Sequence, residues 1–191
     1  MRTFYIVRIF HPLEELGTMS GPFQQVEQME LGRQKATMRR VQKEKNFRLM
    51  AEKVVQLRFN RIYMDGFPAE QAEVEILLYN NFIEKQFPTF LLIASLVQKG
   101  AILMGTEDPE LLREEYQYLQ EVARVVETQE LPEGDYSWLE KMGQDILKRR
   151  DDFIAARIDS TLKDGETGVL FIGAIHQVEK RLPDDIQIVR L

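Results

Sequence analysis

The sequence predicts a three-layer α/β domain in which long helices lie on both sides of a mostly parallel sheet of four or five strands. Short runs of strand-forming apolar residues alternate along the chain with longer stretches of helical periodicity. Helical crossovers are what parallel strands require, and a sheet covered on both faces has nearly continuous apolar strands. With 191 residues, of which 44% are hydrophobic and 29% charged, residues 1–191 have the length and composition of a single globular domain.

The first half of the chain contains two predicted strands separated by a long helix. Strand one spans residues 3–10 and is followed by Pro12 and a turn-prone stretch at 17–22. A helix is predicted for about 23–58, and apolar residues at helical spacing indicate that its second half packs on the core: Phe47, Met50, Ala51, Val54 and Leu57. Its basic first half is expected to project into solvent as an arm, a lid or a dimer contact. The second strand is predicted within 61–66, with Asp65 at its end.

The second half of the chain continues the alternation. Helices are predicted near 69–84 and 88–99, and strand three covers 101–104. Pro109 suits the first turn of the next helix, because its missing N–H has no intrahelical partner there. A long helix at about 136–163, a strand at 168–173 and a short strand at 186–191 complete the pattern.

Several classes of protein are excluded or disfavoured by what the sequence lacks. It contains no cysteine, so disulfides, thiolate zinc sites, iron–sulfur clusters and cysteine nucleophiles are impossible. No apolar run approaches the ~18 residues of a membrane span, and the start does not resemble a signal peptide, so a cytoplasmic location is expected. The phosphate-binding loop, the dinucleotide-binding glycine motif and the nucleophile elbow of serine hydrolases are all missing.

Charge is unevenly distributed along a chain whose net charge is −6. Residues 33–48 contain seven basic side chains and one acidic one, whereas residues 107–130 contain eight acidic and two basic ones. Such blocks are usually solvated helix faces. A homodimer contact through the basic helix is an open alternative, and no membrane partner is expected. Nucleic acid is the least expected partner because the chain as a whole is acidic, and phosphate contacts dominate such binding.

A candidate site is predicted where the strands end. His11, Asp65, Glu107 and His176 each follow or close one of the first four predicted strands. In parallel α/β sheets, ligands bind at the carboxyl ends of the strands, so these four side chains are expected to converge. Imidazole and carboxylate groups aimed at one point suit general acid–base catalysis or metal binding. The alternative is that each residue is an ordinary polar strand end.

Arg150 adds a second indication of a site. It lies on the same helical stripe as Leu147, Ile154 and Ile158, three residues after the first and four before the second. An arginine on an apolar stripe either extends its guanidinium to solvent or binds a carboxylate, because an unpaired buried charge is very unfavourable. The candidate carboxylate partners are Glu107, Asp65 and Glu15.

At these residues the sequence resembles a known group of proteins, the erythromycin-esterase, ChaN and TraB/GumN group. In that group an arginine-containing helix leads into a strand ending in Gly-x-x-His, and the first strand ends in a histidine followed by an acidic residue and a glycine. The matching features here are Arg150-x-x-Phe153-Ile154-Ala155-x-x-Ile158, then Val169 to Gly173-Ala174-Ile175-His176, and Ile9-Phe10-His11 with Glu15-Leu16-Gly17-Thr18. The stretches Ile62 to Gly66 and Gly105 to Asp108 are similar to those of uncharacterised bacterial and archaeal relatives. Members hydrolyse a macrolide ester, bind haem or are proposed to hydrolyse peptides with a metal.

The leading hypothesis is a small hydrolase for an ester or amide bond in a small-molecule substrate. His11 would act as general base on water, Asp65 and Glu107 would orient that water or hold a metal, and His176 would serve as acid or ligand. Arg150 would stabilise developing negative charge. A divalent metal is an optional cofactor, with His11, His176 and Glu107 as its candidate ligands. The alternative is a non-catalytic sensor that holds a metal or haem between the two histidines.

Overall fold

The computed structural model describes residues 1–9, 33–69, 88–128 and 137–191, and it confirms the predicted α/β sheet. Five strands form one sheet in which all pairings are parallel. The order across the sheet is β3-β2-β4-β1-β5. The strands are β1 (Arg2–Ile9), β2 (Arg61–Pro68), β3 (Ile102–Glu107), β4 (Thr167–Gly173) and β5 (Ile186–Arg190).

Helices cover both faces of this sheet, which gives the predicted three layers. The described helices are α1 (Arg33–Val54), α2 (Pro88–Gln98), α3 (Pro109–Thr128) and α4 (Ser137–Thr161), with a 3₁₀ turn at Val178–Lys180. Apolar residues of α1 and α2 pack on one face, and those of α4 and the 3₁₀ turn pack on the other. Within the described ranges, no helix combines the length and the apolar character that crossing a bilayer would require.

The core lies on both sides of the central strand β4. Four consecutive residues of this strand, from Val169 to Ile172, are completely buried. Val169 and Phe171 face the α1/α2 side, and Leu170 and Ile172 face the α4 side. Such a run is typical of a parallel strand covered on both faces.

Helix α1 is divided between the core and solvent. Val54 is fully buried, and Phe47, Met50 and Ala51 pack against the same apolar cluster, as the helical spacing predicts. Towards the start of the helix, large apolar side chains are exposed instead, including Met38 and Val41. The predicted helical residues 23–32 and 70–84 lie outside the described residues.

Two strands extend further than the sequence pattern predicts. β2 continues past Asp65 to Pro68, and its pairing with β3 shifts register between Met64 and Pro68. β3 continues past residue 104 to Glu107. Asp65 therefore lies at an irregularity inside a strand, and Glu107 is the last residue of its strand. The prediction ended β2 at the polar Asp65 and β3 before Gly105, whereas in the structure both Asp65 and Glu107 are buried within their strands.

Candidate functional site

The strand order directs the candidate site to the carboxyl end of β4. The connections that follow β1 and β2 lead to helices α1 and α2 on one face of the sheet, whereas those that follow β3 and β4 run on the other face. β4 lies between β1 and β2, and its connection leads towards β5, in the direction opposite to those that follow its two neighbours. Such a change of direction opens a crevice in open α/β sheets, and ligands bind there.

Arg150 of α4 lies at the carboxyl ends of β2 and β3 and binds carboxylates from three other elements. Its Nη2 donates to Asp65 Oδ1 and to Glu107 Oε1, each at 2.7 Å, and its Nε donates to Glu107 Oε2 at 3.1 Å. Its Nη1 donates to a carboxylate oxygen of Glu115 on α3. The arginine is only 4% exposed. Of the two alternatives considered for this residue, the structure shows the buried ion pairs.

This buried cluster shifts the ionisation of its members. Burial raises the pKa of Glu107 to about 7, even though the adjacent Arg150 guanidinium favours the ionised carboxylate. The neighbouring Asp65 carboxylate adds to the increase. Burial alone would lower the pKa of Arg150, but its bonds to Glu107 and the nearby carboxylates outweigh this effect and raise it. Arg150 is therefore charged, while Glu107 exchanges its proton near neutral pH.

His176 forms a second buried pair, with Asp151 of α4. Its Nδ1 lies 2.6 Å from Asp151 Oδ1, and both side chains are 3% exposed. Asp151 Oδ2 accepts a hydrogen bond from the backbone N–H of Gln177 at 2.8 Å and lies 3.2 Å from Arg181 Nη1. Because a carboxylate accepts hydrogen bonds, Nδ1 carries a proton and donates it. The other ring nitrogen, Nε2, lies on the side of Asp65.

Asp65 joins the two clusters. Its Oδ1 accepts from Arg150, and its Oδ2 accepts from the backbone N–H of Gly173 at 2.9 Å. His176 Nε2 lies 3.6 Å from the same Oδ2. This distance is longer than a direct hydrogen bond. A Cβ at position 173 would lie only 3.3 Å from Asp65 Oδ2, so glycine is the residue that lets the carboxylate approach the end of β4.

The structure brings four of the five sequence-predicted site residues into one connected group: Asp65, Glu107, Arg150 and His176. His11 lies outside the described residues, as does Glu15. The chain reaches His11 two residues after Ile9, and Ile9 pairs with Gly173 of β4.

Sequence reasoning missed Asp151, although a signal was present. Asp151 directly follows Arg150 and precedes Ala155 and Ile158 by four and seven residues, so it also lies on the buried face of α4. Two adjacent charged residues that both face the core indicate two separate binding partners. The carboxylate is 2% exposed, and its partner is the histidine that follows β4.

The described residues do not by themselves form a metal centre. They contain no group of three or more histidine and carboxylate side chains arranged to hold an ion. Both oxygens of Glu107 face Arg150, and Oε1 also lies 3.4 Å from the backbone N–H of Gly66. A carboxylate held by a guanidinium in this way is poorly suited to bind a cation. Of the predicted ligand set, His11 lies outside the described residues.

The interpretation of this site depends on the residues of the chain itself. No family model, no curated protein and no solved structure matches the sequence or the fold. Three features of the molecule define the candidate site. The end of β4 lies where the connections of the sheet change direction, His176 and Asp151 form a buried pair, and Arg150 holds an ion cluster.

Proposed function

We propose that this protein is a small hydrolase that cleaves an ester or amide bond at the carboxyl end of β4, as a relative of the erythromycin-esterase, ChaN and TraB/GumN group. The observation that carries the proposal is the His176–Asp151 pair, whose Nε2 side faces the Asp65 carboxylate. An imidazole held by a carboxylate through one nitrogen transfers protons through the other. Asp65 also binds Arg150, so the ion cluster holds in place the carboxylate that faces the imidazole.

His11 and His176 share the proton transfers in this proposal. His11 takes the proton of the attacking water, and His176 gives its Nε2 proton to the leaving group. Carboxylates flank the His176 ring on both sides, Asp151 at Nδ1 and Asp65 near Nε2, and they compensate the positive charge of the protonated ring. General acid–base catalysis of this kind contributes roughly 10²- to 10⁴-fold to the rate.

Arg150 has a positioning role in the same proposal. Among the described residues, carboxylates take four of its five N–H donors, so at most one remains for a substrate oxygen on which negative charge develops. Its main effect is then to neutralise Asp65 and Glu107 and to fix both carboxylates where β2 and β3 end. Held in this position, Asp65 orients the attacking water and balances the positive charge of the protonated His176 ring.

The test is hydrolysis of a panel of p-nitrophenyl esters and aminoacyl p-nitroanilides, without added metal and with Zn²⁺, Mn²⁺ or Mg²⁺. We expect His176→Ala and His11→Ala each to lower kcat/KM by roughly 10²- to 10⁴-fold. Gln177→Ala, which removes an exposed side chain beside His176, is the matched control and should keep full activity. Circular dichroism and thermal melting establish that each variant is folded.

Two results would refute the hydrolase proposal. One is full activity in both histidine variants, which would remove the imidazoles from the reaction. The other is no hydrolysis of any panel member under any of the metal conditions.

The second candidate function is non-catalytic binding of a metal or haem between His11 and His176. The observation that favours it is again the His176–Asp151 bond, because metal-binding histidines usually donate their other ring N–H to a carboxylate. Metal analysis and the visible spectrum of the purified protein distinguish the two functions. A stoichiometric cofactor together with no turnover would support binding.

We also propose that the exposed first half of α1 is a contact surface between two copies of the chain. Met38 and Val41 are 73% and 61% exposed, one helical turn apart, on a segment that is strongly basic. The acidic segment 107–130 of a second copy is its electrostatic complement. Met38→Glu with Val41→Glu should convert a dimer to a monomer in sedimentation experiments. A wild-type chain that sediments as a monomer at high concentration would exclude this contact.

A further inference from the structure

The loop that carries His176 is bound at both ends by a single arginine. Arg8 of β1 donates from Nη1 to the carbonyl oxygen of Gly173 at 3.2 Å. Its Nη2 lies 2.8 Å from each of the two carboxylate oxygens of Glu179. Gly173 ends β4, and Glu179 lies in the 3₁₀ turn that follows. The segment between these two anchors contains His176.

Side-chain and turn hydrogen bonds, rather than a sheet or helix, hold the rest of this segment. Residues 174–177 lie outside any strand or helix, and the backbone N–H of His176 reaches the carbonyl of Gly173 at the long distance of 3.4 Å. Besides Arg8, the segment is held by the two bonds to Asp151, by bonds from Arg181 Nη1 and the backbone N–H of Lys180 to the carbonyl oxygen of Gln177, and by the fully buried side chain of Val178. Segments without ladder hydrogen bonds open locally at lower cost than the elements that flank them.

We propose that Arg8 and Glu179 are positioning residues that hold the His176 loop in the geometry its imidazole needs. The significance for catalysis rests on the proposed function, in which Nε2 of His176 transfers a proton. Arg8 also lies on the strand that leads, three residues later, to His11. The Arg8 guanidinium therefore connects β1, the strand that leads to His11, with the loop that carries His176.

The surroundings of the pair support a persistent ionic bond. Glu179 is 12% exposed and Arg8 30% exposed at the side chain. Burial alone would raise the pKa of Glu179, but hydrogen bonds from the backbone and from Arg8 outweigh burial and lower it. Bonds between a guanidinium and a carboxylate are about twice as strong as neutral ones and more specific in geometry. Arg190 also approaches Glu179, at 3.5 Å, but it is 76% exposed.

The experiment follows the Nδ1 proton of His176 by NMR in the full chain. This proton is buried in its bond to Asp151 and is assigned by its loss in His176→Ala. We expect Arg8→Gln and Glu179→Gln each to accelerate its exchange with water by about tenfold or more, because each removes a charge-assisted restraint. Arg8→Glu combined with Glu179→Arg restores the ion pair but not the bond to the Gly173 carbonyl, so it should slow exchange only in part.

Two matched controls separate positioning from general stability. Arg2 lies on the same strand and forms an equivalent bidentate pair with Asp185, but at the opposite end of the sheet. Arg2→Gln should lower the melting temperature without changing proton exchange at His176. Arg190→Gln should change neither. If the Arg8 variant does not fold, Glu179→Gln provides the same test from the loop side.

The exchange of the His176 Nδ1 proton tests the positioning role without a known substrate. Unchanged exchange in Arg8→Gln and Glu179→Gln, or the same acceleration in Arg2→Gln, would overturn the positioning role. If a panel ester is hydrolysed, both site variants should lower kcat with little change in KM. Loss of the hydrolase proposal alone would leave the exchange result intact, so the two failures are distinguishable.

Discussion

Asp65 is the residue on which the two halves of the site depend. One of its oxygens accepts from Arg150, and the other accepts from Gly173 and faces His176. With a side chain 7% exposed, the carboxylate has little access to water and takes its compensation from these partners. Any change in the position of the arginine is therefore transmitted to the carboxylate beside the imidazole.

Glu107 should make stability depend on pH. Burial raises its pKa from the ordinary 4.5 to about 7 in the folded protein, so the folded state keeps a proton that the unfolded state loses. The stability that this proton contributes is complete below pH 4.5 and is lost as the pH rises towards 7. The Glu107→Gln variant has no ionisable group at this position, so its stability should lack this dependence on pH.

Unfolding of wild type and Glu107→Gln by denaturant at pH 5 and pH 8 measures this effect. From pH 5 to pH 8, the free energy of unfolding of the wild type should fall by up to roughly 3 kcal/mol relative to that of the variant. Glu110→Gln, on an exposed helical turn, is the control. Parallel pH profiles of wild type and Glu107→Gln would show that Glu107 is ionised throughout this range.

Asp151→Asn tests the orientation of His176. An amide oxygen can still accept from Nδ1, so the fold should persist, but the charge that compensates a protonated ring is lost. We expect kcat on a panel ester to fall by roughly 10²- to 10⁴-fold, and the melting temperature to fall as well, because the amide nitrogen would face the Gln177 N–H that Oδ2 accepts in the wild type. Asp152→Asn, at the exposed neighbouring position, should keep wild-type activity. Equal activity in the two variants would contradict the assignment.

For single residues, the sequence was informative where a charged side chain lies among the apolar positions of a helix. An arginine on an apolar helical stripe predicts a carboxylate partner, and two of the three candidates considered bind it, Asp65 and Glu107. Glu115 and Asp151 were missed, because a charged residue on an amphipathic helix is normally solvated and its partner depends on how the helix is rotated. Helix rotation is decided by tertiary packing.

Among the elements, the end of β2 is shaped by its neighbour β3. Gly105 has so little space that a Cβ there would lie 1.7 Å from the carbonyl oxygen of Pro68. Gly66, with a φ of +79°, lies within the register shift that brings Pro68 opposite Glu107. This close approach keeps the ends of β2 and β3 together and so places Asp65 and Glu107 on the same guanidinium.

Gly105→Ala should therefore destabilise the protein by more than about 2 kcal/mol, because the backbone of β2 would have to move. Gly143→Ala is the matched control, since its Cβ would meet only the end of the Tyr118 side chain, which can move. We expect a change below about 1 kcal/mol there, partly offset by the higher helix propensity of alanine. Chemical denaturation of both variants measures the difference. Similar stability in the two would mean that the β2–β3 contact is loose.

Strands and helices were predictable as elements, but their ends were not. Apolar runs and helical periodicity located all five strands and the four described helices. The bounds of β2 and β3 were wrong because a strand pattern contains no information about an irregular pairing with a neighbour. Asp65 and Glu107 remain in the sheet because Arg150 stabilises their burial, and this contact joins residues 43 and 85 positions apart.

The whole molecule is organised around β4. It pairs with both β1 and β2, and those two strands have no direct pairing with each other in the sheet. Strand order could not be predicted from the sequence, because the apolar pattern of β4 is that of any buried parallel strand. The site depends on this order, since His176 follows the strand that lies where the connections change direction.

Hydrogen exchange should reflect this arrangement. Amide protons of β4, buried on both faces and paired on both sides, should exchange most slowly. Those of β5, at the edge, should exchange well before them. Peptide-resolved exchange of the full chain measures both. Equal protection of β4 and β5 would show that the sheet opens as one unit.

The insertion of β4 between two earlier strands also constrains how a growing polypeptide acquires its shape on the ribosome. Until residues 167–173 emerge, only β2 and β3 have a partner available, and β1 waits with both of its edges unsatisfied. The imidazole of His176 emerges immediately after the segment that closes this gap. The ring of His176 is therefore synthesised only after β1 and β2, the two strands that flank β4, have both emerged.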